Sequence, residues 1–423
     1  GSLLLPQIPR TFQTDRVNPR RRMAAPADAP PRQPSLPEDT IVEILSRVGD
    51  AIAVVRCAAT CKAWRRLILE PSFLSHRHAG PSPLLGFFFR DTSQKLPRRR
   101  LYLRRPTRFL LLGPSQPQAT TALHLSHFFP DVAGLSGFAP LASGTGGLLA
   151  LRHRPACSLD PEMICVCDPM AGTSTFLPPL AAEGTPFGES VVFLDADGSS
   201  FRLLAAMEYS AAPGILLRIF SSRTGHWGAA VRAYLPDNMV VLLSSPAVVH
   251  RGAVHWICGT RALPNAVHAL AVRPGQAGTS VCRVDLPLRA GIHRLSHAAG
   301  AVRLSSSTKG CLSLVLLDEH VISIWNLDDN GAGGKSWMLQ KTIYLMSVLP
   351  SVIFNDPSAE WGLSITALCD QSGSLFLHAV GEGLFVLNLE TEMMSKVGDG
   401  HCAKYLCPYV PDLSSCLGAM KKF

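Results

Sequence analysis

Ile164-Cys-Val-Cys-Asp-Pro-Met-Ala-Gly-Thr-Ser-Thr-Phe176 is a short apolar run, a polar turn and a second run ending on an aromatic residue. Asp, Pro and Gly crowd the turn while Ile, Val and Phe sit on the flanks, the composition of a β-hairpin. The element recurs. It returns as Arg218-Ile-Phe-Ser-Ser-Arg-Thr-Gly-His-Trp227, and as His268-Ala-Leu-Ala-Val272 through Val281-Cys-Arg-Val-Asp-Leu286. Further copies are Ile322-Ser-Ile-Trp-Asn-Leu327 through Lys335-Ser-Trp337, and Leu384-Phe-Val-Leu-Asn-Leu-Glu-Thr-Glu-Met-Met-Ser-Lys396. The copies start roughly 50 to 60 residues apart, about the interval of a four-stranded propeller blade.

Working outward, most hairpins are preceded by a run that opens on a small residue and continues apolar. These are Gly147-Leu-Leu-Ala-Leu151, Ala253-Val-His-Trp-Ile257, Gly310-Cys-Leu-Ser-Leu-Val-Leu-Leu317 and Gly373-Ser-Leu-Phe-Leu377. Strands buried on both faces lose clean alternation, so these runs suit positions between neighbouring blades. Leu84 to Leu103 could supply a sixth, degenerate unit. The expected fold is therefore α+β and multidomain: a small N-terminal helical module, then an all-β propeller of about six blades over residues 84–423. A β-sandwich is the alternative.

Composition supports a chain that buries real cores. Hydrophobic residues make up 47% and charged residues 17% of 423, and Gly and Pro number 34 and 33, which suits many tight turns. The net charge of +9 raises the question of nucleic acid. Its basic residues cluster at Arg20 to Arg22 and between Lys95 and Arg105, with no zinc-finger spacing, RNA-recognition signature or basic heptads beside them. Such clusters are expected to be solvated turns, with a nuclear-import patch as the alternative, and neither nucleic acid nor membrane is expected as a partner. The apolar opening Leu3 to Leu5 is broken by Pro6 and Pro9, no run approaches the length of a membrane span, and no Asn-x-Ser/Thr occurs. With twelve cysteines read as buried or free thiols, a reducing cytoplasmic or nuclear setting is expected. Met23 is the expected start of translation, and residues 1–34 read as disordered.

The sequence contains no Gly-x-Ser-x-Gly, no His-Glu-x-x-His, no phosphate loop and no Gly-x-Gly-x-x-Gly opening a helix. Gly144-Thr-Gly-Gly147 precedes a strand pattern and reads as a turn. Cys165 and Cys167 are too close for a structural zinc pair, while Cys57/Cys61 and Cys402/Cys407 lack a second pair nearby. No enzyme activity, cofactor or metal is expected. An enzyme with its site in the channel would need paired carboxylates at comparable places in successive blades, and these are missing.

Ser35 to Pro71 is the one clearly helical segment. Ser35 with Glu38 has the form of a capping box, with Pro37 in the first turn. Ile41, Ile44, Leu45 and Val48 follow at i, i+3, i+4 and i+7 and share a face. A second helix is expected after Gly49-Asp50, and a further pattern carries Cys61, Trp64, Leu67 and Ile68. Three short helices make a thin core that should want a partner over its apolar face.

The blocks Leu36-Pro-Glu-Asp-Thr-Ile-Val-Glu-Ile-Leu-Ser-Arg-Val48 and Val55-Arg-Cys-Ala-Ala-Thr-Cys-Lys-Ala-Trp-Arg-Arg-Leu-Ile68 resemble the F-box. The remainder is similar to the C-terminal domain of plant F-box proteins, notably those of grasses, in Cys167-Asp-Pro-Met-Ala-Gly-Thr173, Ser221-Ser-Arg-Thr-Gly-His-Trp227, Gly252-Ala-Val-His-Trp256 and the closing Pro408-Tyr-Val-Pro-Asp-Leu-Ser-Ser415. The resemblance implies an F-box at 35–76, a linker at 77–83, and a propeller-like substrate domain beyond. It implies docking on a Skp-type adaptor, and through it on a cullin and a RING protein, with an unknown protein substrate held distally. By position, the adaptor-binding residues would be Leu36, Pro37, Ile41, Ile44, Leu45, Val48, Val55, Cys61 and Trp64, with Trp64 the main anchor or else part of the module's own core. Gly49-Asp50-Ala51 stands where many relatives carry Leu and Pro. A scaffold outside any ligase is the alternative function. The loops Thr185 to Glu189 and Asp328 to Lys335 are candidates for target contact.

Overall fold

The structure is a computed structural model that describes residues 36–48, 51–70, 72–73, 84–90, 106–112, 122–130, 132, 134–153, 162–180, 188–196, 200–208, 214–235, 239–243, 245–260, 267–275, 278–287, 300–306, 310–328, 336–349, 362–399 and 405–411. The expectations for the leading segment, the Ser35 cap, the basic run from Lys95 to Arg105, the linker and Cys402 lie outside these residues.

The N-terminal module has three described helices: α1 Glu38–Arg47, α2 Ala51–Thr60 and α3 Lys62–Ile68. Pro37 is not inside the first turn but is the residue before it, at φ −53 and ψ 144. Its carbonyl accepts the Ile41 N–H at 3.1 Å and closes that turn. Proline holds φ near the helical value while ψ stays extended, so the chain bends into α1 without a side-chain cap.

Beyond it lie six antiparallel sheets. The first begins with β1 Gly86–Arg90, β2 Thr107–Leu111 and β3 Leu123–His124. The second is β4 Ala139–Ser143, β5 Leu149–His153, β6 Met163–Asp168 and β7 Thr173–Phe176; the third, β8 Gly188–Ala196, β9 Phe201–Glu208, β10 Ile215–Ser221 and β11 His226–Trp227, with β12 Val231–Ala233 also on β10. The fourth holds β13 Met239–Val241 and β14 Val248–His250, both paired with β15 Ala253–Thr260, then β16 Val267–Gly275 and β17 Gly278–Asp285. The fifth is β18 Val302–Ser306, β19 Leu312–Asp318, β20 Val321–Asp328 and β21 Ser336–Tyr344; the sixth is β22 Leu363–Cys369, β23 Ser374–Ala379, β24 Gly383–Asn388 and β25 Met394–Gly398. The last strand, β26 Cys407–Tyr409, returns to pair with β1.

The innermost strands β4, β8, β14, β18, β22 and β26 neighbour one another in a closed ring. This is a six-bladed propeller, and the ring rules out a sandwich. All five hairpins read from the sequence are the third and fourth strands of blades two to six. The sixth unit differs from the expectation: it is not Leu84 to Leu103 alone but residues 86–124 completed by 407–409.

Apolar cores between neighbouring blades hold the ring. Phe87, Phe88 and Phe89 show how one strand serves two of them, because successive side chains point to opposite faces. Phe88 packs with Phe109 and Tyr409 against Leu149 and Cys165 of the second blade. Phe87 and Phe89 pack against Phe376 and Leu384 of the sixth. Phe87 meets Phe376 edge to face at 5.3 Å, and Phe88 meets Tyr409 at 5.4 Å. Trp256, wholly buried, fills the core between blades three and four.

Candidate functional site

The helical module is assembled around Leu45, Val54, Ala58, Ile68 and Phe73, with Ile41, Val42, Val48, Cys57 and Trp64 packed around them. Helices α2 and α3 are parted by a single residue, Cys61. It is extended (φ −156, ψ 159), and its thiol accepts the Trp64 N–H at 3.4 Å. The spacing of the Cys-Lys-Ala-Trp block is thus that of a helix cap, side chain at N-cap to N–H at the third helical residue. Among the described residues, surface ion pairs join Arg47 with Glu43 at 2.7 Å along α1, and Arg66 of α3 with Glu38 of α1. Both are well exposed and contribute little to stability.

The residues expected to meet an adaptor are therefore divided. Leu36, Pro37 and Ile44 face solvent, Leu36 at 55% and Ile44 at 47% exposure. Leu45, at 1%, is interior. Ile41, Val48 and Trp64 are half-buried, resting on the core with part of each side chain outward. Cys61 is exposed and acts as a cap. The Val55 side chain lies outside the described residues. Leu69, 40% exposed, was missed; beside Lys62, Arg65, Arg66 and Glu70 it lines a shallow hollow on α3. Its signal in the sequence was an apolar residue beyond the last helical position, which periodicity alone does not flag.

Leu36, Ile44 and Leu69 thus remain large apolar residues exposed on one small module.

In the propeller the two candidate loops separate. Glu189 lies within β8, where it pairs with Arg152 of β5 and is nearly buried. Asp328 ends β20 at the turn end of its blade. Since turns after the first and third strands lie at one end and those after the second and fourth at the other, the two segments mark opposite ends of the propeller. Residues 185–187 and 329–335 lie outside the described residues. Cys165 and Cys167 are buried in the core between blades one and two, where burial pushes the Cys165 thiol up to about 12 and raises that of Cys167 as well. Neither is poised as a nucleophile, since the thiolate is the reactive form.

Residues 33–79 match the F-box-like family, and residues 114–423 match a family described as a domain of unknown function, DUF7595. No curated protein matches. Among solved structures, the chain is similar to a quinonprotein alcohol dehydrogenase-like protein from Bacteroides thetaiotaomicron, with 12% identity over 77% of each chain and a TM-score of 0.36. It is also similar to a hypothetical selenium-binding protein from Sulfolobus tokodaii, with 8% identity over 73% of this chain and 74% of that one, TM-score 0.36. Likenesses this distant carry no argument about function.

Proposed function

The chain belongs to the DUF7595 family, and from that premise we propose that it is the substrate-recognition subunit of a Skp–cullin–F-box ubiquitin ligase. The F-box-like module docks on a Skp-type adaptor, and the propeller holds a target protein for ubiquitination and degradation. The chain has no catalysis of its own in this reading and works in the cytoplasm or nucleus. The likeness to plant F-box proteins belongs to the same reading.

The observation that carries it is the state of the module: a complete but thin core that leaves Leu36, Ile44 and Leu69 outward, within a segment matching the F-box-like family. Helices that present apolar residues to solvent lay them into a partner's groove, and F-box domains generally bind Skp-type adaptors. Leu45 is not part of that surface. Its exchange would unfold the module and mimic a docking defect, so it cannot report on docking.

The test is recovery of partners with the tagged full chain. An adaptor and a cullin should co-purify, and the double exchange Leu36→Asp with Ile44→Asp should lose both while the protein stays folded. Adaptor without cullin would favour a scaffold outside any ligase. Recovery unchanged in the double variant would sink the docking model.

A further inference from the structure

The outermost strands of the six blades differ in what they leave bare. Those of blades one, two, three and six, β3, β7, β11 and β25, run to two, four, two and five residues. In blade four β17 has eight, and β12 of blade three lies against it. In blade five β21 has nine. A short or covered edge gives a passing strand little to hold, whereas a long bare one is a template for pairing.

On its inner side β21 is laddered to β20 from Asp328↔Ser336 to Val321↔Tyr344. In such a ladder alternate residues turn their N–H and C=O groups away from the partner strand, so the outer side presents a row of them. Among the described residues, Met338, Leu339, Gln340 and Thr342 make no hydrogen bond beyond that ladder. Nothing covers them either: Met338 and Leu339 are 49% and 50% exposed, and Gln340 is exposed beside them. Leu339, paired with Trp325, is on the face toward blade four, and Met338 is on the opposite face.

Natural edges are guarded by proline or by charge. β21 has no proline, and its one charged residue, Lys341, is turned to blade six. There its Nζ donates to the Leu389 and Glu390 carbonyls at 2.8 and 3.1 Å and pairs with Glu392 at 2.9 Å. A bulge at Gln340, where the register slips between Ile324 and Trp325, divides the edge into two runs, 336–339 and 341–344.

The backbone row sets the occupant's conformation, because only an extended chain meets it bond for bond. Two copies of this chain joined along β21 would share a line about 30 Å long and about 10 Å deep, on the order of 600 Å² in total, against at least about 1,200 Å² for a stable pair. A flexible segment instead reaches over both faces, onto Leu339 on one and Met338 on the other. Met338 and Leu339 are apolar, and the residues that meet them are apolar too. We propose that β21 is where the propeller takes its target: an extended apolar segment of that protein adds to it as a fifth strand of blade five. The proposal rests on the receptor reading above and names the form in which that receptor holds its target.

The test offers the full chain a pool of ten-residue peptides with Val, Ile or Leu fixed at alternate positions and uncharged residues randomised between. The tightest binder is then remade in two N-methylated versions, one for each alternate set of residues, which keep the side chains and remove backbone donors. Methylation of one set should weaken binding at least about tenfold, and of the other should leave it intact. Amide exchange in β21 should slow at least about tenfold on peptide binding while that in β17 is unchanged. Leu339→Lys, at an exposed position, should weaken binding by a similar factor without moving the unfolding midpoint. Failure of every peptide to bind, protection away from β21, or equal binding of both methylated versions and the parent would overturn the proposal. A dimer of the chain that Leu339→Lys dissolves would make a second copy the occupant and overturn it as well. Adaptor binding is measured on the same samples. Its loss with peptide binding intact counts against the ligase reading alone, and the reverse counts against the edge alone.

Discussion

The indole Nε1–H of Trp337, on the outermost strand of blade five, donates at 2.7 Å to the carbonyl of Asp285, where the outermost strand of blade four ends. Trp227, at the same place in blade three, donates at 2.8 Å to Pro178, just past the outermost strand of blade two. The same residue type thus latches a blade to its predecessor at two of the interfaces. Replacing either tryptophan by Phe keeps most of the apolar contact and removes the hydrogen bond. Each should cost about 0.5–1.5 kcal/mol, and because the two lie on different interfaces the costs should add. Urea unfolding of the single and double variants checks both points.

Closure of the ring depends on three residues. Tyr409 is 1% exposed and meets Phe88 and Phe109 edge to face, at 5.4 and 6.1 Å, so β26 is held by an aromatic plug as well as by its ladder to β1. Tyr409→Ala should cost about 3–5 kcal/mol. A loss under about 1 kcal/mol, read by the same unfolding, would mean that the ring is held elsewhere.

Arg303 is a buried cation on the innermost strand of blade five. It donates to its neighbour Val302 at 2.8 Å and across to the Ile365 carbonyl of blade six at 2.6 Å. Burial lowers its pKa to about 10, still far above neutrality, so the guanidinium stays charged and bridges two blades. Arg303→Ala leaves those carbonyls without their donor and opens a void, at a cost of about 2–4 kcal/mol in thermal or urea unfolding.

Cysteine labelling gives a pH test. Burial pushes Cys165, Cys258 and Cys407 up to about 12, because a thiolate is disfavoured away from water. At pH 8 their thiolate fraction is on the order of one in ten thousand. Alkylation at pH 8, mapped by mass spectrometry, should mark the exposed Cys61 and Cys282 and leave these three untouched until the chain unfolds. Labelling of the three at the rate of Cys282 would contradict the burial described.

Much of the fold was legible because each hairpin pairs a long apolar strand with a turn rich in Gly, Asp or Ser. The five copies beginning near Ile164, Arg218, His268, Ile322 and Leu384 each occupy the same place in a blade. The closure was not legible. Cys407–Tyr409 is too short for any period to show, and its partner Gly86–Phe88 lies more than 300 residues away. The first blade is interrupted for the same reason, its strands being spread between residues 86 and 124.

At the module, periodicity placed Ile41, Ile44, Leu45 and Val48 on one stripe, yet Leu45 is interior and Ile44 outward. Neighbours on a helix differ by about 100°, and where α2 and α3 pack decides which edge of a broad stripe is covered. Cys61 was read as a contact, but its capping role depends on an extended backbone that no residue pattern specifies.

The central claim is that the helical module docks through its outward apolar residues, and calorimetric titration of the purified full chain with a Skp-type adaptor tests it most directly. The account predicts one adaptor per chain, with binding reduced at least about a hundredfold by Ile44→Asp while the helical signal and unfolding midpoint stay put. Undiminished binding by the Ile44→Asp chain, or no binding by the parent, would contradict it.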